Sequence, residues 1–167
     1  MDNWIWGLSL IALTIAIHAT SVTLMVSVLH GFRVRLESHS PGLRRLYAIV
    51  IGTITATGLL LAALHMIEAA FWAAAYLWLG ARGSLEAAIL YSVDSIATRG
   101  ASGLMLQSHW QMMGALEAAD GVLLFGISTA FIFTVMQFYY QDLVFPALPG
   151  RSGGHEQDLP ANGQVPT

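Results

Sequence analysis

The 167-residue sequence contains no cysteine and no lysine. The absence of cysteine excludes disulfides, thiolate metal sites and cysteine nucleophiles, and the absence of lysine makes every fixed positive charge an arginine. Charged residues make up 10% of the chain, against about 25% in a typical soluble domain. Hydrophobic residues make up 56%, and the mean hydropathy is +0.63. This composition predicts a single-domain membrane protein, and no basic run indicates a nucleic-acid partner.

Three long apolar segments, at about 4–29, 46–79 and 110–140, are candidate membrane spans. Each exceeds the length of about 20 residues that a helix needs to cross a bilayer. Trp4 and Trp6 stand at the start of the first segment, as aromatic residues do at a membrane interface. A cleaved signal peptide is the alternative for this segment. It is disfavoured because the segment begins with acidic Asp2 and its apolar run is too long.

Four arginines, Arg33, Arg35, Arg44 and Arg45, lie between the first two segments. We expect residues 31–45 to form a loop, because Ser-Pro-Gly at 40–42 is typical of turns. Cytoplasmic loops carry an excess of arginine, so this loop is predicted inside the cell, with the N-terminus outside and the C-terminus cytoplasmic, in the inner (plasma) membrane. Residues 146–167 are rich in proline, glycine and polar side chains and are predicted to be a disordered tail.

The segment 87–103 is short, apolar at first and then rich in small residues. Its apolar part, 87–97, is too short to cross a bilayer. A short helix followed by a glycine-rich turn between two spans indicates a re-entrant segment. Such irregular backbone is tolerated at membrane depth only where protein or water covers it.

Within this segment, Tyr-Ser-Val-Asp-Ser-Ile-Ala-Thr-Arg-Gly at 91–100 resembles the pore helix and filter entry of tetrameric potassium channels. That family typically reads W/F-S-x-E/D/V-T-x-T-T-V-G-Y-G-D. The residues that keep the family's residue or residue type are Tyr91, Ser92, Asp94, Ser95, Thr98 and Gly100. The filter itself differs from the family pattern at four positions: Arg99 stands for Val, Ala101 for Tyr, Ser102 for Gly and Gly103 for Asp.

The resemblance implies an all-α membrane protein with three transmembrane helices and a potassium-channel-like re-entrant pore helix and loop between the second and third. It divides the chain into an additional N-terminal helix at 1–31, a channel-like module at 45–140 and the tail at 146–167. It also implies passive ion conduction by a homotetramer in the lipid bilayer, since one pore loop cannot enclose an ion path. The partners expected are inorganic ions.

The filter departures affect selectivity. The expected filter and pore-loop residues are Thr98, Arg99, Gly100, Ala101, Ser102 and Gly103. Loss of an aromatic packing residue and of one flexible glycine predicts a wider filter with weak discrimination among monovalent cations. A vestigial pore that conducts nothing is the alternative.

Arg99 needs a partner, because an unpaired buried arginine is costly. Asp94 lies five residues earlier, so we expect an Arg99–Asp94 ion pair that braces the loop, with Glu68 or Glu117 as further support of the pore helix. In the alternative, Arg99 points into the lumen, where several arginines would repel cations.

Ionisable residues inside a membrane are expensive and often functional. His18 and His65 lie at similar distances from the outer ends of their spans, and Glu68 shares a helix face with His65. Three interpretations stay open for this set: a hydrogen-bonded packing cluster, a pH- or metal-sensitive site, and bis-histidine haem ligation. If the chain does not conduct, the alternative function is a membrane sensor or scaffold subunit that uses these three residues.

The last span adds two features. Glu117 and Asp120 share one helix face, either as an acidic vestibule that concentrates cations or as partners of Arg99. Gly121 and Gly126 are a possible gating hinge or close-packing positions. No Gly-x-Ser-x-Gly, phosphate-loop or His-Glu-x-x-His motif is present, so neither an enzyme activity nor a cofactor is expected.

Overall fold

A computed structural model describes residues 2–37, 42–100 and 103–144. The described residues form four α-helices and no strand: α1 (Asp2–Glu37), α2 (Leu43–Trp78), α3 (Leu85–Ile96) and α4 (Gln111–Val144), with a 3-10 turn at Ser108–Trp110. Three helices are long and apolar enough to cross a membrane, over Asn3–Arg35, Arg44–Trp78 and Ser108–Tyr139. The described residues are therefore all helix, turn or loop, and the chain is a membrane protein, as its composition predicts.

Contacts at the two ends of the bundle give the helix directions. Trp6 near the start of α1 packs edge-to-face against Trp78 at the end of α2, with ring centroids 5.1 Å apart. At the opposite end, the Arg33 guanidinium of α1 lies 5.8 Å from the centre of the Phe138 ring of α4. The helices α1 and α4 therefore run in one direction and α2 in the other.

The interior of the bundle changes character along its length. One apolar cluster, which includes Trp72, Tyr76 and Met113, lies near α3. A second, which includes Leu61, Phe131 and Val135, lies towards the arginine-rich end. Between the two clusters, the buried side chains include polar and charged ones, among them His18, His65 and Glu68. These three residues lie several turns from either end of α1 and α2.

The short helix α3 packs against both α2 and α4. Its N-terminus is capped by Ser84, whose Oγ accepts a hydrogen bond from the Ala87 amide at 3.2 Å, which satisfies one of the free amides of a helix start. Its C-terminus meets α4 at Gly121, where an added Cβ would lie 2.2 Å from the Ile96 carbonyl oxygen. A side chain at position 121 would therefore separate the two helices.

The loop predicted at 31–45 is wrong at both ends, because residues 31–37 continue α1 and residues 43–45 already belong to α2. Helices of 36 residues extend beyond a hydrocarbon core of about 30 Å, so arginines at their ends need no loop. The predicted disordered tail at 146–167 lies outside the described residues.

Candidate functional site: a buried polar column

Four side chains from three helices form a closed ring of hydrogen bonds in the middle of the bundle. Glu68 Oε1 lies 2.8 Å from His18 Nδ1, and Glu68 Oε2 lies 3.1 Å from His65 Nδ1. Ser128 Oγ lies 3.1 Å from the Nε2 atom of each histidine. His18 and Glu68 are fully buried, and His65 and Ser128 are 5% exposed. The cluster therefore joins α1, α2 and α4 through polar contacts, and the His65 ring also packs against the Phe125 ring of α4, with centroids 4.4 Å apart.

The ring's four contacts require four protons in total. With Glu68 ionised, both Nδ1 atoms donate to the carboxylate, and Ser128 donates to one imidazole and accepts from the other. One histidine is then an imidazolium that balances the carboxylate. The same four protons also fit a ring with Glu68 protonated and both histidines neutral. Either arrangement has no net charge, which suits a site buried in a membrane protein.

Two further acids of α4 continue the polar interior towards α3. Asp120 Oδ2 accepts hydrogen bonds from Thr14 Oγ1 at 2.7 Å and Trp72 Nε1 at 3.0 Å. Its other oxygen, Oδ1, is buried and has no hydrogen-bond partner among the described residues. Asp120 also interacts electrostatically with His18 and Glu68. One buried carboxylate oxygen of Asp120 thus makes no hydrogen bond to the described residues.

Glu117 lies one turn before Asp120 and links α4 to α2 and α3. Its Oε2 accepts a hydrogen bond of 2.7 Å from the Tyr76 hydroxyl, and the Ser92 and Ser95 hydroxyls of α3 lie beside the same carboxylate. Glu117 and Asp120 are both fully buried. The expectation of an acidic vestibule is therefore wrong, because neither carboxylate reaches the surface.

The predicted Arg99–Asp94 ion pair is present, with Arg99 Nε 2.5 Å from Asp94 Oδ1. The Asp94 side chain is 4% exposed and the Arg99 side chain 61% exposed. The arginine thus folds back towards the end of α3, and Glu68 and Glu117 take their hydrogen bonds elsewhere. The pair fixes the first turn of the loop, whose Arg99 amide also donates to the Asp94 carbonyl.

The loop after α3 has an irregular and open backbone. Thr98, Gly100 and Gly103 have φ values of 53°, 59° and 66°, in the left-handed region that a threonine rarely adopts. Residues 97–100 are exposed. Thr98 and Gly100 border an open cavity of about 440 Å³ whose lining also includes Asp94 and Met105. The pore-loop residues Ala101 and Ser102 lie outside the described part of the chain.

The proposed hinge glycines have different surroundings. Both lie inside the continuous helix α4. Gly121 touches the backbone at the end of α3, whereas Gly126 has no atom within 4 Å of a built Cβ. Close packing explains Gly121, and the gating role of either glycine stays a prediction.

Four further residues hydrogen-bond to the buried acids and histidines and were not predicted from the sequence: Thr14, Trp72, Tyr76 and Ser128. Hydroxyls are common in membrane helices and often bond to their own backbone, as Thr129 does to the Phe125 carbonyl. The available signal was spacing: Thr14 precedes His18 by four residues, and Trp72 follows Glu68 by four, so each pair shares a helix face.

Comparison with protein-family models, with curated proteins and with solved structures finds no match to this chain.

Proposed function

We propose that the protein is a subunit of an ion channel, in which several copies surround a path for monovalent cations lined by the loop after α3. The observation that supports this most directly is the exposed, irregular backbone of residues 97–100 beside the middle of a membrane-spanning helix. Backbone of this kind at membrane depth must be covered by protein or by water. Neighbouring copies around a water-filled path provide both.

The depth of α3 supports a re-entrant arrangement. Ser95 is the second-to-last residue of α3. Its Oγ donates a hydrogen bond to the carbonyl of Gly114, in the first turn of α4. The last residue of α3, Ile96, touches Gly121, which lies close to the middle of the 32-residue candidate span of α4. We infer that α3 enters the bilayer from the end where α4 begins and that the loop returns to the same side.

Charge in the loop favours cations over anions in this proposal. Because Asp94 pairs with Arg99 at 2.5 Å, the arginine does not leave an uncompensated positive charge at the path. Backbone carbonyls then provide the oxygen ligands that cations use in pore loops. The four arginines at the other end favour a cytoplasmic position for that end.

Flux through liposomes containing the purified protein tests the proposal. We expect comparable potassium and sodium flux and much less chloride flux. Gly100→Ala is expected to reduce cation flux by roughly tenfold, because a left-handed backbone costs a non-glycine residue about 1–2 kcal/mol. The matched control is Gly83→Ala, since Gly83 has open space around it and no positive φ. Absence of cation flux at any pH or voltage, or flux of chloride alone, would refute the proposal.

A further inference from the structure

We propose that His18, His65 and Glu68 bind one divalent transition-metal ion of the zinc class in the middle of the helix bundle. One potential ligand atom from each residue lies within 4.8 Å of the others, and all three residues are buried. This site is separate from the loop after α3. Metal binding at this site therefore does not require that the protein conducts ions.

The donor set fits such an ion. Two imidazoles and one carboxylate are a common set of ligands for zinc and neighbouring divalent metals, while sites for magnesium and calcium are built from oxygens. Bonds of about 2.0–2.1 Å in a tetrahedral site place ligand atoms about 3.4 Å apart. The widest separation here must therefore close by about 1.4 Å, a change on the scale of a side-chain rotation.

Ser128 is placed to orient both histidines around the ion. Both Nδ1 atoms face Glu68, and both Nε2 atoms face Ser128 Oγ at 3.1 Å. With the metal on the Nδ1 side, each Nε2–H donates to Ser128 Oγ, which has two lone pairs. Metal-bound histidines usually donate their other ring N–H in this way. The serine thus serves as a positioning residue in the bound state.

Asp120 supplies the charge that the site lacks. A divalent ion with two neutral imidazoles and the Glu68 carboxylate has a net charge of +1, which is costly in a buried place. Asp120 interacts electrostatically with His18 and Glu68, and its Oδ1 has no hydrogen-bond partner among the described residues. Its carboxylate balances the remaining charge from outside the ligand set, and water fills the fourth position of the ion.

Metal binding to the full-length protein, purified in detergent through a tag without histidine, tests the site. After chelator treatment and dialysis, we expect the wild type to take up about one Zn²⁺ per chain. Glu68→Gln and His65→Gln are each expected to weaken Zn²⁺ binding by roughly tenfold or more. Zn²⁺ should also raise the melting temperature of the wild type more than that of either variant.

The matched control is His30→Gln, because His30 lies on α1 outside the ring and its loss should leave Zn²⁺ binding unchanged. X-ray absorption of the Zn²⁺-loaded wild type keeps the test valid if a variant fails to fold, and we expect scattering from two imidazoles. Zn²⁺ content well below one per chain, a shell of oxygen ligands alone, or equal weakening by His30→Gln would overturn the proposal.

Discussion

At the scale of single residues, the molecule depends on a few buried polar contacts between helices. Ser128 shows why: its hydroxyl is the only group of α4 in the ring around Glu68, and it contacts both histidines. Lipid tails are as apolar as leucine, so the hydrophobic effect gives membrane helices little reason to associate. Specific polar contacts of this kind therefore select which helix faces meet.

Ser128→Ala is expected to lower the free energy of unfolding in detergent by about 1 kcal/mol. Removal of the hydroxyl leaves an Nε2 atom of each histidine without its partner, and polar contacts between membrane helices are worth about 0.6 to 1.7 kcal/mol. Thermal or denaturant unfolding measures the change. Thr129→Ala is the control, since the Thr129 hydroxyl bonds only to its own helix, at the Phe125 carbonyl. Equal stability of the Ser128 variant and the wild type would show that the ring contributes nothing.

At the scale of elements, the position of α3 depends on how closely α4 lets it approach. Gly121 allows the end of α3 to touch the α4 backbone, whereas Gly126, five residues later, faces open space. Gly121 is therefore required for close packing of α3 on α4, whereas the surroundings of Gly126 leave room for a side chain. The two glycines also provide a matched pair of substitutions within one helix.

Gly121→Ala is expected to destabilise the protein by about 1–3 kcal/mol, the usual cost of forcing extra atoms into a packed interior. The added Cβ would lie within 2.9 Å of three backbone atoms of Ile96. Gly126→Ala should be neutral or stabilising by up to about 1 kcal/mol, because alanine favours a helix over glycine. The unfolding free energies of the two variants, measured under the same conditions, test whether α3 packs closely against Gly121. A Gly121→Ala variant as stable as Gly126→Ala would contradict the close contact with α3.

At the scale of the whole molecule, the positions of the buried polar residues along the helices were predictable from residue spacing rather than from sequence motifs. The shared depth of His18 and His65 followed from the rise of 1.5 Å per residue, and Glu68 followed from its position three residues after His65. Counting could not show which neighbours complete the ring. That depends on which side chains of α4 reach the ring: Glu117 and Asp120 mark the buried face of this helix, but nothing in the sequence singles out Ser128 on that face.

The fold was predicted in outline and missed in detail. Three apolar segments gave three long helices, and the short segment at 87–97 gave α3 at Leu85–Ile96. Glu117 and Asp120 were assigned to one face correctly, but their burial beneath Tyr76 and Trp72 was not foreseen. A sequence shows that a carboxylate lies in a span, whereas its exposure depends on tertiary packing.

In the proposed channel, the exposed residues after α3 from different copies meet around a common axis. Oxidative crosslinking tests it directly, because the chain has no cysteine of its own and a single introduced cysteine reacts only with its counterpart. Ala97→Cys, at an exposed position of the loop, is predicted to form covalent dimers in native membranes, while Leu59→Cys, on an exposed face of α2, is predicted to remain monomeric. Ala97→Cys that stays monomeric, or crosslinks no faster than Leu59→Cys, would contradict the claim.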